Sequence, residues 1–313
     1  RMRYLKKWSK VPGSAEKTVA LAQVAVLRRF HDLSLWRSAL GRHAAVVDHI
    51  AVVLCTNPSK VLDDLSDRGL AQLRPDDRRL MQKTSGAKTD AAVINAVEDW
   101  MRSAIGEDSP VTITVRSLQG SGAGAREEAN ELAGNTGATW TLALDTHEII
   151  EDRITRDHLQ RLMSHPDPMV RAWDLGILTH WETVDLVRDD PPFGDGGTWT
   201  GGDHDVLFWR NDKRPAFPGR RAPIFPEENI RVSGVRARRF KYMRAADRAL
   251  LITNARTQGA TELVGRLSHE QGMRLSRYNR QNGIGLHMLA YSREKIEDLA
   301  RWMDVAHGLV DDF

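Results

Sequence analysis

Apolar positions along the chain follow two spacings, and the change from one to the other falls near residue 106. Before it, Val19, Ala22, Val26 and Phe30 recur at threes and fours, and Leu33, Trp36 and Leu40 continue the face, which predicts amphipathic helices. The segment HAAVVDHIAVVLCTNPSKVLDDLSDRGLAQL predicts a helix, a turn at Thr56 to Pro58, and a second helix stopped by Gly69. A further helix from Leu80 to Ile105 would bury Val93, Ile94, Val97, Trp100 and Met101. After GEDSP the spacing shortens to two. VTITVRSL and TWTLALD read as strands, with AREEANELAGNTGA between them as a helix closed by glycine. The stretch from His147 to Phe193 predicts two helices split at Pro166 and Pro168, then a short strand. Beyond it come a strand in DVLFW, a strand NIRVSGVRA, a helix from Arg238, a strand RALLITN, a helix from Thr257 and a strand GIGLHML. The expectation is an α/β protein with a helical region over 1–106, a β-α-β unit and linker helix over 107–165, and a mixed-sheet domain over 166–313.

Composition narrows the classes. With 41% hydrophobic and 28% charged residues, the 313-residue chain lies in the globular range. Its longest apolar run is too short for a bilayer, and the basic opening RMRYLKKWSKVPGS lacks the apolar core of a signal peptide. The lone Cys55 forms no internal disulfide, so the expected setting is cytoplasmic, with no membrane partner. The histidines form no HExxH pair, and GSG at 120–122 is not a GxSxG elbow, which argues against zinc protease and serine hydrolase chemistry. Trp173, Trp181 and Trp209 read as core residues, and Trp199, in its glycine-rich stretch, is the least core-like. The loop QGSGAG offers backbone N–H groups to a phosphate but lacks the complete GxGxxG pattern and a following Lys-Ser/Thr pair.

Charge adds a sharper feature. Between Arg210 and Arg248 twelve Lys/Arg face four Asp/Glu, while the whole chain carries only +3, so the basic character is concentrated. Arginine dominates, which suits bidentate contact with phosphate and guanine, and Arg214, Arg220, Arg221, Arg236, Arg238, Arg239 and Arg244 are the candidate nucleic-acid contacts. The same stretch opens on GGDHD, where Asp203 and Asp205 share one face of a strand and are candidate metal ligands.

Three resemblances follow from these residues. The segment SKVLDDLSDRGLAQL resembles the recognition helix of winged-helix proteins. That resemblance implies contact with DNA, although Asp63, Asp64 and Asp67 would face phosphate and leave a dimerising role equally open. From Asp167 to Trp302, the GDGG and GGDHD runs, AADRALLITNARTQGATELV and IGLHMLAYSREKIEDL resemble a Mrr-type restriction endonuclease domain. That resemblance implies Mg²⁺-dependent DNA cleavage, with Asp205 and Asp203 holding the metal. The family's second acid and Lys are missing from RVSGVRA, so Glu228 becomes the displaced acid and Lys241 or Arg236 the group that steadies phosphate. GGDHD also resembles the metal-binding DxD pair of nucleotidyltransferases. The expected function is a nuclease-related nucleic-acid-binding protein, with a non-catalytic DNA-binding regulator and a nucleotidyltransferase as alternatives, and homo-oligomerisation left open.

Overall fold

The computed structural model describes residues 21–27, 33–55, 75–85, 87, 90–118, 124–181, 183–184, 186–188, 203–211, 225–243, 245–257, 259, 275–279 and 284–289. Within them, β1 (Leu21–Leu27), β2 (His49–Leu54), β3 (Thr112–Ser117) and β4 (Trp140–Ala143) form a parallel half-sheet in the order β3-β2-β1-β4. The helix expected from Val19 to Phe30 is instead β1, and the stretch from His49 to Leu54 expected as helix is β2. Every residue of β1 is buried, and Ile50 to Leu54 of β2 are buried as well. A segment covered on both faces shows no alternation, so its periodicity does not separate strand from helix, and the β-branched Val and Ile decide for strand. The first member of the expected helix-turn-helix pair is therefore not a helix throughout. Its second, from Ser59 to Gly69, lies outside the described residues.

Helices cover this half-sheet. α1 (Leu33–Ala44), α2 (Pro75–Ser85) and α3 (Asp90–Ile105) pack together through Trp36 and Trp100, whose rings lie 5.5 Å apart. The Trp100 indole donates to buried Asp77 at 2.8 Å, so a large apolar ring is buried with its polar atom satisfied. α4 (Ala125–Asn135) packs on β1 and β2. It starts after Gly124, whose φ of 82° is left-handed backbone that favours glycine. The β-α-β expectation over 111–145 corresponds to β3, α4 and β4, but β3 and β4 stand at opposite ends of the half-sheet with β2 and β1 between them.

The same sheet continues into the second half as a mixed array. β5 (Glu148–Ile150) is followed by α5 (Arg156–Met163), β6 (Ala172–His180), β7 (Leu186–Arg188), β8 (Asp203–Arg210) and β9 (Ile230–Arg239). α6 (Ala245–Thr257), β10 (Leu275–Asn279) and β11 (Ile284–Leu289) complete the described elements. β8 pairs antiparallel with both β4 and β6, and β6 pairs parallel with β9, so β6 and β9 run in the direction of β1 to β4. Among the described residues eleven strands join in one sheet, which crosses the expected boundaries at 106 and 165.

Two more expectations are corrected here. The segment after Pro168, expected as helix, is β6, whose Leu175, Ile177 and Leu178 are buried between β8 and β9. RALLITN, expected as a strand, lies in α6, where Thr253 and Thr257 each donate back to the carbonyl four residues earlier. That local bond offsets the usual helix penalty of a β-branched residue. Trp173, Trp181 and Trp209 are buried as expected, and Trp209 donates to Asn130 at 3.1 Å. Trp199 lies outside the described residues. No helix among the described residues is long and apolar enough to cross a membrane.

Candidate functional site

Because β1 to β4, β6 and β9 share a direction, their carboxyl ends meet at one edge of the sheet. The chain moves from β1 outward to β2 and β3, then returns to place β4 on the other side of β1, and it is beside such reversals, at the carboxyl ends of the strands, that open α/β sheets bind ligands. The turn leaving β4 carries Asp145, His147 and Glu148. One ligand atom from each lies within 4.8 Å of the other two.

This turn is held from three sides. The Asp145 N–H donates to Glu148 Oε2 at 3.0 Å, and the Glu148 N–H donates to the Asp145 carbonyl at 3.0 Å, closing the turn on itself. Arg239 Nε donates to Glu148 Oε1 at 2.9 Å from the neighbouring β9, and the Phe240 N–H donates to the His147 carbonyl at 2.9 Å. From α4, the Arg126 guanidinium pairs with Asp145. Fixed backbone and fixed carboxylates are what a preorganised ligand set needs.

Behind the turn lies a second layer. His43 on α1 is fully buried and its Nε2 accepts from the Ile150 N–H at 3.3 Å. Burial, reinforced by the neighbouring Arg42 and opposed by Glu148, pushes this imidazole down to about 3, so it is a neutral acceptor at ordinary pH. Arg42 ties the same segment by donating to the carbonyls of Glu151 at 2.8 Å and of Ile154. Burial also lowers the Arg42 guanidinium from its usual value, with Asp152 opposing.

The basic residues of β9 serve this architecture. Arg236, Arg238 and Arg239 are 7, 7 and 9% exposed. Arg236 reaches Glu151 at 3.3 Å and Arg239 reaches Glu148 at 2.9 Å. Arg238 donates to His180 Nε2 at 3.0 Å while lying over the Phe240 ring, which itself stacks on His180 at 4.6 Å. Burial and then Arg238 hold the His180 imidazole well below its usual value, so it too is a neutral acceptor. Arg214, Arg220, Arg221 and Arg244 lie outside the described residues.

The remaining candidates do not converge. Glu228 sits exposed in the 3-10 turn before β9, and its carbonyl accepts from Arg231 at 2.9 Å. Lys241 sits in the 3-10 turn after β9, over the Tyr242 ring at 5.6 Å. The ten-residue strand between them separates the two by roughly 30 Å. RVSGVRA itself is interrupted. β9 advances four residues from Val232 to Arg236 while β6 advances two from Asp174 to Gly176, and the Ser233 hydroxyl donates to the Asp174 carbonyl within this bulge. Asp203 and Asp205 open β8, opposite Ile177 and Leu175 of β6. Because β8 runs antiparallel to β4 and β6, its first residues, Asp203 and Asp205, lie toward the carboxyl ends of those strands.

Asp145, His147 and Glu148 were not foreseen as a set. The sequence signal for them is the acid that closes TWTLALD, followed by two further ligand types within three residues. The donor set suits a divalent cation: two carboxylates favour Mg²⁺ or Mn²⁺, and the imidazole shifts the preference toward Mn²⁺. Both Glu148 oxygens accept, Oε2 from the Asp145 N–H and Oε1 from Arg239, and a carboxylate offers about four lone-pair positions in all.

No protein-family model matches the chain, and no curated protein matches it. Among solved structures it is similar to a mannose-6-phosphate isomerase from Helicobacter pylori, at 10% identity and a TM-score of 0.28, over 56% of this chain and 58% of that one. This chain thus spans less than two thirds of that protein's length. It is similar also to a UDP-glucose pyrophosphorylase complexed with UDP-glucose, at 9% identity and a TM-score of 0.29, over 62% of this chain and 77% of that one. Likenesses of this size carry no argument about fold or function.

Proposed function

We propose that this chain is a divalent-cation-dependent transferase that takes a nucleoside-diphosphate-activated sugar as donor. The observation that carries the reading is the Asp145, His147 and Glu148 cluster at the carboxyl edge of a parallel half-sheet, beside the point where its strand order reverses. Sites of this kind accept nucleotides, and a cation held by a few side chains leaves positions for two phosphate oxygens. When bound, the cation would offset the charge that develops on the departing diphosphate. In the reaction the bond between the anomeric carbon and the diphosphate oxygen breaks, a bond to an acceptor hydroxyl oxygen forms, and the hydroxyl proton passes to a carboxylate. Asp205 and Asp203, the paired acids of GGDHD, are the candidate bases. The missing Lys-Ser/Thr pair after the glycine-rich loop weighs against the phosphate grip of P-loop phosphoryl transfer.

The test is release of nucleoside diphosphate from a panel of nucleotide sugars with Mn²⁺ and with chelator. The reading expects metal-dependent release that falls at least ~100-fold in Asp145→Asn. Release from no nucleotide sugar would overturn it. The nucleic-acid reading, with its winged-helix and endonuclease-like parts, is favoured by the basic excess of residues 210–248. It expects Mg²⁺-dependent plasmid cleavage, or duplex affinity that falls steeply with salt.

A further inference from the structure

We propose that Arg126 couples cation binding to diphosphate binding, pairing with Asp145 when the site is vacant and with the donor's diphosphate when the cation arrives. The inference rests on the transferase reading of the Asp145 turn and adds a binding residue and an order of events to it. Arg126 stands in the first turn of α4, is 6% exposed, and forms an ion pair with Asp145, whose side chain is 21% exposed. A divalent cation at Asp145 and a guanidinium in contact with the same carboxylate repel each other, so cation binding displaces the guanidinium. A buried guanidinium deprived of its carboxylate is strongly destabilising unless another anion replaces it. The anion that accompanies the cation in this reading is the diphosphate, whose oxygens match the planar donor fork of arginine.

The surroundings favour that replacement. α4 is an eleven-residue helix with Arg126 in its first turn, the end that carries its free backbone N–H groups and its positive dipole charge. Glu128 in that turn is paired with Arg116 from β3, which reduces its opposition to an incoming anion, while Glu127 is exposed. Cation and diphosphate should therefore bind cooperatively, each raising the affinity of the other by the same factor.

Titration calorimetry with Mn²⁺ tests this, in the presence and absence of inorganic pyrophosphate, on the wild-type chain and on Arg126→Gln and Arg126→Lys. For wild type, Mn²⁺ affinity should rise at least ~10-fold with pyrophosphate, beyond the complexation measured without protein. Arg126→Gln should bind Mn²⁺ alone more tightly than wild type and lose the gain, with Arg126→Lys intermediate. Equal Mn²⁺ affinity for wild type with and without pyrophosphate would overturn the coupling while leaving the cation site standing, as would an undiminished gain in Arg126→Gln. Absence of Mn²⁺ binding under every condition would remove the transferase reading and this inference with it.

Discussion

Arg236, Arg238 and Arg239 at the end of β9 and Asp145, His147 and Glu148 in the adjoining turn are two charged clusters of similar size, built to different ends. The arginines are buried and directed inward, at Glu151, His180 and Glu148. The turn is partly open, with Asp145 and His147 half-buried over a fully buried Glu148. Charge density by itself does not make a binding surface. What matters is whether the charges already have partners inside the protein: Arg239 fixes Glu148 of the turn, while Arg236 and Arg238 are committed to Glu151 and His180.

This contrast can be broken by mutation. Arg239→Ala removes the arginine that pairs with the fully buried Glu148 carboxylate, so it should lower unfolding free energy by about 3–5 kcal/mol, and Arg236→Ala should cost less because Glu151 keeps Arg153 at 2.7 Å. Urea denaturation measures it, and a change within about 0.5 kcal/mol would return these arginines to the surface role of solvated charges. The histidines give the next effect. The folded-state value of His43 lies at about 3 against an ordinary 6.5, so the unfolded chain binds the extra proton first as pH falls. The His43 contribution is complete above pH 6.5 and is lost as pH falls toward 3, at about 1.4 kcal/mol per pH unit. His180 acts in the same direction. Urea midpoints at pH 7 and pH 5 check this, and His43→Leu should flatten the slope. Arg153→Ala should cost least, under about 1 kcal/mol, because its pair with Glu151 involves a side chain 37% exposed.

The parts of the fold visible in sequence were those with local signals. The alternation of VTITVRSL, the glycine-closed AREEANELAGN helix, and the β-branched runs DVLFW and IRVSG correspond to β3, α4, β8 and β9. LAQVAVL and IAVVL carry no alternation because they lie inside a sheet covered on both faces, and RALLITN mimics a strand in composition while its threonines satisfy a helix. Asp203 and Asp205 carry a local signal, a paired acid at a strand start, and they open β8. Asp145, by contrast, looks like any acid after a strand until the pairing of β5 with β9 brings Arg239 to Glu148 and closes the turn, a contact across 91 residues that no local pattern encodes.

The central claim is that the Asp145 turn holds a divalent cation. Electron paramagnetic resonance of Mn²⁺ titrated into the chain in the presence of a nucleoside diphosphate tests it directly. The account predicts one tight Mn²⁺ per chain, with affinity falling at least ~10-fold in both Asp145→Asn and His147→Ala while the urea midpoint of His147→Ala stays near wild type. Mn²⁺ bound equally well by all three proteins would contradict it.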